Sequence, residues 1–331
     1  MKPRILAIRG GAIGDFVLTL PALRLLRENF ADCHIELLGY PHIASLALHG
    51  GPGPGRTYLD AVRNIEARTL AGFFARNASL DPALCEYFAG FQQVVSWLFD
   101  PDGIFEGNLR RAGVKHFIST YAPITGRAHA SVQLAHGLGK LALFSDNSAP
   151  VLVPDDRHAA LADEWFRAGL STVAVHIGSG SPAKNWPVGR WVELANALAT
   201  RHDRLIAIVG EAEDNALETA FVFGYAGPAI RIAKSEPLPM LAAILARCAA
   251  YYGHDTGISH IAAASGTPCT VIFGPTDPAI WAPQGPHVRV IRAPGGNLAA
   301  LSAAEVFDQD FSGRERGRRT MAPAGGRKSS R

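Results

Sequence analysis

Apolar and polar positions along the chain fall into two successive rounds of one pattern. The first opens on Arg4 to Ile8, a short apolar run of the kind that forms a strand buried on both faces. A tight loop follows, Arg9-Gly10-Gly11-Ala12-Ile13-Gly14-Asp15. Phe16, Leu20, Leu23 and Leu26 then recur at spacings of three and four, which predicts a helix. Pro21 lies within this run and is expected at a helix start or a kink. His34 to Leu38, ended by Gly39, reads as the next strand. An apolar run from Val94 to Phe99, a strand at His116 to Ile118 and a helical stretch from Ala128 to Leu143 complete the round.

The second round opens on a strand from Thr172 to Ile177 and a loop from Gly178 to Lys184. A helix is expected next, with Pro187 at its first position and Trp191, Leu194 and Leu198 along one face. Arg204 to Val209 is a strand ending in Gly210, and a helix is expected near Met240 to Ala250. Asp255 to His260 opens a short helix closed by Gly266, Cys269 to Phe273 is a strand, and residues 274–278 form a turn. The strand–loop–helix–strand order predicts α/β architecture with parallel sheets. The turn-rich stretch 145–156 marks the linker, so the expected division is 1–148, 149–311 and a tail, 312–331. A cleft between two such halves is the default ligand site.

Composition narrows the classes. With 331 residues, 48% of them hydrophobic and 18% charged, the chain suits two ordered domains. Net charge is +3, but residues 312–331 hold seven Lys/Arg against Glu315, or +6, leaving −3 for the body. The body is therefore no basic nucleic-acid binder. The Gly-, Ser- and Arg-rich tail reads as disordered, either a solubilising terminus or a contact for an anionic membrane surface. Cys33, Cys85, Cys248 and Cys269 are scattered, with no CxxC, which suits a reducing compartment rather than a disulfide frame or zinc site. Arg9, Asp15 and Arg24 interrupt the apolar N-terminus, and no signal cleavage site follows. The expected location is cytoplasmic, with the inner membrane face as a further possibility for the tail.

Four stretches could carry chemistry. Gly10-Gly11-x-x-Gly14-Asp15 resembles a dinucleotide fingerprint, but Arg9 stands where that motif needs glycine. The second strand ends in Leu38-Gly39-Tyr40, with no acid for a ribose, so NAD is disfavoured. Asp15 can cap the helix or serve as a general base at a cleft edge. Gly178 to Lys184 lacks the Walker A spacing. It suits either a plain turn or a diphosphate cradle, in which Ser179 and Ser181 offer hydroxyls, Gly180 lets backbone amides approach and Lys184 adds charge. In Asp255-Thr256-Gly257-x-x-His260, Asp255 can be an N-cap with His260 one turn on. Alternatively, the Thr256 and Gly257 amides hold a phosphate or sugar, Asp255 takes hydroxyls and His260 is a further donor. One His and one Asp are too few ligands for a metal there. Glu213 and Asp214, after the Arg204–Val209 strand, can take ribose hydroxyls or cap the next helix.

Together these stretches resemble the heptosyltransferase family, glycosyltransferase family 9. The similarity is carried by ILAIRGGAIGDFVLTLPALRLLR, VAVHIGSGSPAKNWPVGRWVELA and, most specifically, GHDTGISHIAAASGTPCTVIFGPTDP. The resemblance implies a GT-B fold, two Rossmann-like domains facing across a cleft. It further implies an ADP-sugar donor in the C-terminal domain, a lipopolysaccharide-core or related glycan acceptor on the N-terminal domain, and inversion without metal or cofactor. In that reading Asp15 matches the family's base and Lys184 the lysine on the donor phosphates. Asp255, Thr256, Gly257 and His260 match the donor motif, and Asp214, or its neighbour Glu213, the ribose acid. Ser179-Gly180 stands where the family often has two hydroxyl residues, so one hydroxyl contact is lost. Arg63, Arg68, Arg110, Arg111, Lys115 and Arg127 suit an anionic acceptor or a solvated surface equally well. A nucleotide-sugar epimerase, or a binding protein without transfer activity, would use the same two-domain design.

Overall fold

The computed structural model describes residues 2–146, 149–181, 184–210 and 215–308. The tail, 312–331, lies outside the described residues. Among the described residues, eleven parallel strands form two sheets. The first contains β1 (Arg4–Arg9), β2 (His34–Gly39), β3 (Ala61–Asn64), β4 (Gln93–Ser96) and β5 (Phe117–Ser119), in the order β3-β2-β1-β4-β5. The second contains β6 (Thr172–His176), β7 (Arg204–Val209), β8 (Ile230–Lys234), β9 (Ala250–His254), β10 (Cys269–Phe273) and β11 (Val288–Arg292). Its order is β8-β7-β6-β9-β10-β11.

In both sheets the strand order reverses beside the first strand of the round. Loops leaving that strand and its far-side neighbour diverge there and leave a crevice at the strands' C-terminal ends. This places 9–15, after β1, and 177–181, after β6, at two crevices. The central strands are anchored by burial: Val173, Val175, Leu205, Ala207, Tyr251 and Tyr252 are almost fully covered. Each such Val or Leu contributes roughly 1.5–3 kcal/mol, which holds the strand ends firmly while the loops beyond them stay open.

Several elements differ from the sequence pattern. Pro21 sits inside a continuous helix, Ile13–Asn29, where it is buried and removes one backbone donor. Pro187 is the N-cap of the Val188–Leu198 helix rather than its first residue. The helix expected near Met240 to Ala250 spans Leu238–Leu245, and Ala250–His254 is the central strand β9, buried at all five positions. That strand has no period-two alternation, because both its faces are covered by helices. All four cysteines are outside disulfides. No helix among the described residues is long and apolar enough to cross a membrane.

The halves are joined closely. A two-residue ladder pairs Gly50–Gly51 antiparallel with Val153–Pro154, Tyr58 donates its hydroxyl to the Val151 carbonyl at 2.6 Å, and the Leu152 amide donates to the Ala264 carbonyl at 2.7 Å. A side chain at Gly51 would collide with the Arg56 carbonyl, so the crossing strand requires glycine there. Across the cleft, a Cβ on Gly257 would stand 2.6 Å from the Ile13 Cβ, and one on Gly14 would stand 3.4 Å from His260. The N-termini of the Ile13–Asn29 and Gly257–Ala264 helices therefore meet backbone to backbone.

Candidate active site

That meeting point borders a cavity of about 400 Å³. Ala12, Gly14 and Asp15 line it from the N-terminal half; Lys184, Asp255, Thr256, Gly257 and His260 line it from the other half. Residues from three of the four stretches thus converge on one space.

Asp15 is the third residue of its helix, and Ala12 is the N-cap. The Ala12 amide donates to Asp15 Oδ2 at 3.2 Å, and Arg9 places Nη2 3.7 Å from Oδ1 and 3.2 Å from the Asp15 carbonyl. Arg9 in turn donates Nε to the Thr19 hydroxyl at 3.1 Å. Gly11 has φ +102°, and a side chain there would press on Asp15 Oδ2 at 3.1 Å. The carboxylate is thus held from two sides yet 40% exposed. Capping and a free edge toward the cavity coexist. Gly10 lies by Tyr40 and Leu98, whereas Gly14 faces the other half.

On the donor side, Lys184 Nζ donates to Asp255 Oδ2 at 2.7 Å, and the Thr276 hydroxyl donates to the same oxygen at 2.6 Å. Asp255 is not the helix N-cap. Thr256 takes that place without a side-chain bond to the helix, its hydroxyl lying 3.2 Å from His176 Nδ1. The uncapped start of the Gly257–Ala264 helix, Thr256 and Gly257, so borders the cavity, and a helix start favours an anion there. His260 is buried, and burial pushes its imidazole down to about 4, so it is neutral near pH 7.

Ser179, Gly180 and Ser181 do not line this cavity. The Ser179 hydroxyl is turned into its own loop, 2.8 Å from the Ser181 carbonyl and 2.7 Å from Asn185 Oδ1. Glu213 and Asp214 lie outside the described residues. Thr276 and Trp281 also line the cavity. Thr276 lies in the 274–278 stretch, whose Gly and Pro signal only a turn, and Trp281 belongs to no motif, so composition marks neither as a site residue.

A second cavity, about 550 Å³, opens beyond β6, β7 and β8, with His176, Gly210, Glu236 and Leu238 on one wall and His42 and Ser45 on the other. It adjoins the first through Ile13, whose neighbour Gly14 lines that one. Among the basic residues considered for an acceptor, Arg63 stacks 3.9 Å from the Tyr87 ring, Arg110 pairs with Glu106 at 2.7 Å, and Arg111 donates to Asn108 at 2.8 Å.

His254, directly before Asp255, ties the donor loop to the core. Its Nε2 accepts from the Trp186 amide at 2.8 Å and from Trp191 Nε1 at 3.2 Å. Burial pushes its imidazole down to about 3. A histidine whose folded value lies below its unfolded value, ordinarily 6.5, gives stability that is complete above 6.5 and lost as the pH falls. His254 and His260 are each expected to cost about 2 kcal/mol of stability between pH 7 and pH 5. The check is urea unfolding at both pH values. His254→Leu should remove half of this dependence but strand the Trp186 amide and Trp191 indole, lowering stability by about 2–4 kcal/mol at pH 7.

The model for glycosyltransferase family 9 (heptosyltransferase) matches residues 131–309. Lipopolysaccharide heptosyltransferase 1 of Escherichia coli O18:K1:H7 is 34% identical over 141 residues, covering 42% of either chain. The chain thus spans about two fifths of the length of the first curated relatives it matches. Lipopolysaccharide heptosyltransferase 3 of E. coli K12 is 25% identical over 90% of this chain and 89% of its own. The solved structure of E. coli ADP-heptose lipopolysaccharide heptosyltransferase II superposes with TM-score 0.73 at 17% identity, over 95% of this chain and 99% of that one. The fold is GT-B, two parallel-sheet halves facing across a cleft.

Proposed function

Since the chain belongs to glycosyltransferase family 9, we propose that it is a transferase moving a sugar, heptose by preference, from an ADP-sugar to a hydroxyl of a lipopolysaccharide-core or related glycan. The observation that carries this reading is the shared cavity: a partly exposed carboxylate from one half faces a lysine and a helix N-terminus from the other. An acceptor oxygen and a diphosphate need those opposite environments at the same time.

In this mechanism Asp15 takes the proton of the acceptor hydroxyl as the oxygen attacks the anomeric carbon. The bond from that carbon to the diphosphate breaks, and configuration inverts. Negative charge gathers on the diphosphate, which Lys184, the Thr256 and Gly257 amides and neutral His260 stabilise electrostatically. The Ala12 amide at the start of the Ile13–Asn29 helix and Arg9 keep the Asp15 carboxylate aimed. The larger cavity suits the nucleoside, since it lies where parallel strands end beside the diphosphate site. The charge needed by the leaving group comes from the protein, so we read the transfer as independent of metal or cofactor. Asp255, the other carboxylate in the smaller cavity, is already engaged by Lys184 and Thr276.

A thermal-shift screen of nucleotide sugars tests this. ADP-heptose and other ADP-sugars should raise the melting temperature more than UDP- or GDP-sugars, and ADP release should require a heptose-accepting glycan. Release of ADP without acceptor, or interconversion of the donor sugar, would point to an epimerase. No shift with any nucleotide sugar would sink the proposal.

A further inference from the structure

Away from both cavities, three side chains with metal-binding atoms meet at the crossing between the halves. His49 ends the Pro41–His49 helix of the N-terminal half. Asp155 is the N-cap of the Asp156–Ala162 helix and His158 lies within it, both in the segment entering the C-terminal half. Asp155 Oδ2 lies 3.2 Å from His49 Nδ1, and Asp155 Oδ1 lies 2.7 Å from His158 Nδ1. The donor atoms of the three residues all lie within 4.8 Å of one another. None of the three lines either cavity described above.

The backbone fixes this arrangement independently of the side chains. The Asp155 amide donates to the His49 carbonyl at 2.9 Å, directly beside the Gly50–Gly51 and Val153–Pro154 ladder. Residues 106 apart in sequence are thus held in register by main-chain bonds, with both imidazole Nδ1 atoms turned to one carboxylate. All three side chains are partly covered, at 39%, 33% and 14% exposure for His49, Asp155 and His158. Solvent can still supply a further ligand.

We propose that His49, Asp155 and His158 form a binding site for a zinc-class divalent cation that clips the two halves together at their crossing. Two imidazoles and one carboxylate suit zinc, cobalt or nickel; magnesium and calcium prefer oxygen. Tetrahedral zinc binds such ligands at about 2.0–2.2 Å, with water in the fourth position. Around such an ion the donor atoms stand roughly 3.3 Å from one another. Each ring carries its proton on Nε2 and presents the Nδ1 lone pair. Asp155 binds through Oδ2 and keeps Oδ1 on the His158 amide, 2.8 Å away, so the helix cap survives. His42 and Ser45, on the same helix as His49, line the larger cavity. The ion would therefore also steady one wall of it.

The test uses the full, tag-free chain stripped with chelator and titrated with zinc by calorimetry, and with cobalt(II) by visible absorption. The expected result is one tight equivalent of zinc, a four-coordinate cobalt spectrum, and a higher melting temperature with zinc than without. His49→Gln and His158→Gln should each weaken that equivalent at least about tenfold. Asp155→Asn, which retains a capping oxygen, should do the same, and His34→Gln should not. Each variant is compared with itself with and without zinc, so a loss of intrinsic stability does not confuse the outcome. Absence of a one-to-one zinc site or of the cobalt band in the native sequence overturns the proposal. So does zinc binding that survives all three ligand substitutions, because the trio is then only a hydrogen-bonded contact.

Discussion

Asp15→Asn should lower turnover by about 10²–10⁴-fold while leaving ADP-sugar affinity nearly unchanged. Asparagine keeps the oxygen that accepts the Ala12 amide, so the helix start should survive. What is lost is the basic edge toward the cavity, and with it proton removal from the acceptor. The prediction separates two roles that the geometry combines. Were Asp15 only part of the cap, the asparagine variant would keep full activity and Asp15→Ala would mainly lower stability. Steady-state kinetics with ADP-heptose and a glycan acceptor, beside calorimetric donor binding, distinguishes these outcomes. Unchanged turnover would remove Asp15 from the mechanism.

Lys184→Ala should weaken ADP binding roughly 10- to 100-fold, as expected for a lost hydrogen bond between charged groups, and lower turnover further. The effect exceeds the removal of one cation. Among the described residues, Asp255, a buried carboxylate beside the incoming diphosphate, would keep only the Thr276 hydroxyl. The sign of this coupling is testable. Asp255→Asn placed on top of Lys184→Ala should recover part of the ADP affinity, because the uncompensated charge is gone. If ADP binds the single variant as well as the native chain, the diphosphate lies elsewhere.

The local pattern was informative where local physics decides. Apolar runs of five or six residues marked β1, β2, β6, β7 and β10, because a strand covered on both faces is mostly apolar and tolerates a polar side chain such as Glu36 only where it finds partners, here Arg4 and Tyr87. Glycines after those strands marked the loops that open at the crevices. Ala250–His254 is less legible for a related reason: its tyrosines and glycine give no period, and the apolar Leu238–Leu245 helix ends only a few residues before it. The loop composition also brought Asp15, Lys184, Asp255 and His260 into view as separate candidates.

Which of these share a space is a matter of topology. Lys184 and Asp255 are 71 residues apart, and they pair because β6 and β9 are neighbours at the reversal of strand order. Thr276 joins them because β10 lies next in the sheet. Ser179 looked as open as Lys184, yet its hydroxyl closes its own loop. Asp15 reaches the donor side through the close contact of two helix starts, which the absence of side chains on Gly14 and Gly257 allows. Local sequence is enough to mark seven of the eleven strands, the loops after them and the identities of the reactive groups, since burial and backbone freedom act within a few residues. Ala61–Asn64, Ile230–Lys234, Ala250–His254 and Val288–Arg292 carry no such mark. The tertiary structure alone decided which groups face each other, including His49 and Asp155 at the crossing. Contacts over 70 or 106 residues depend on strand order and on two halves meeting, and local periodicity encodes neither.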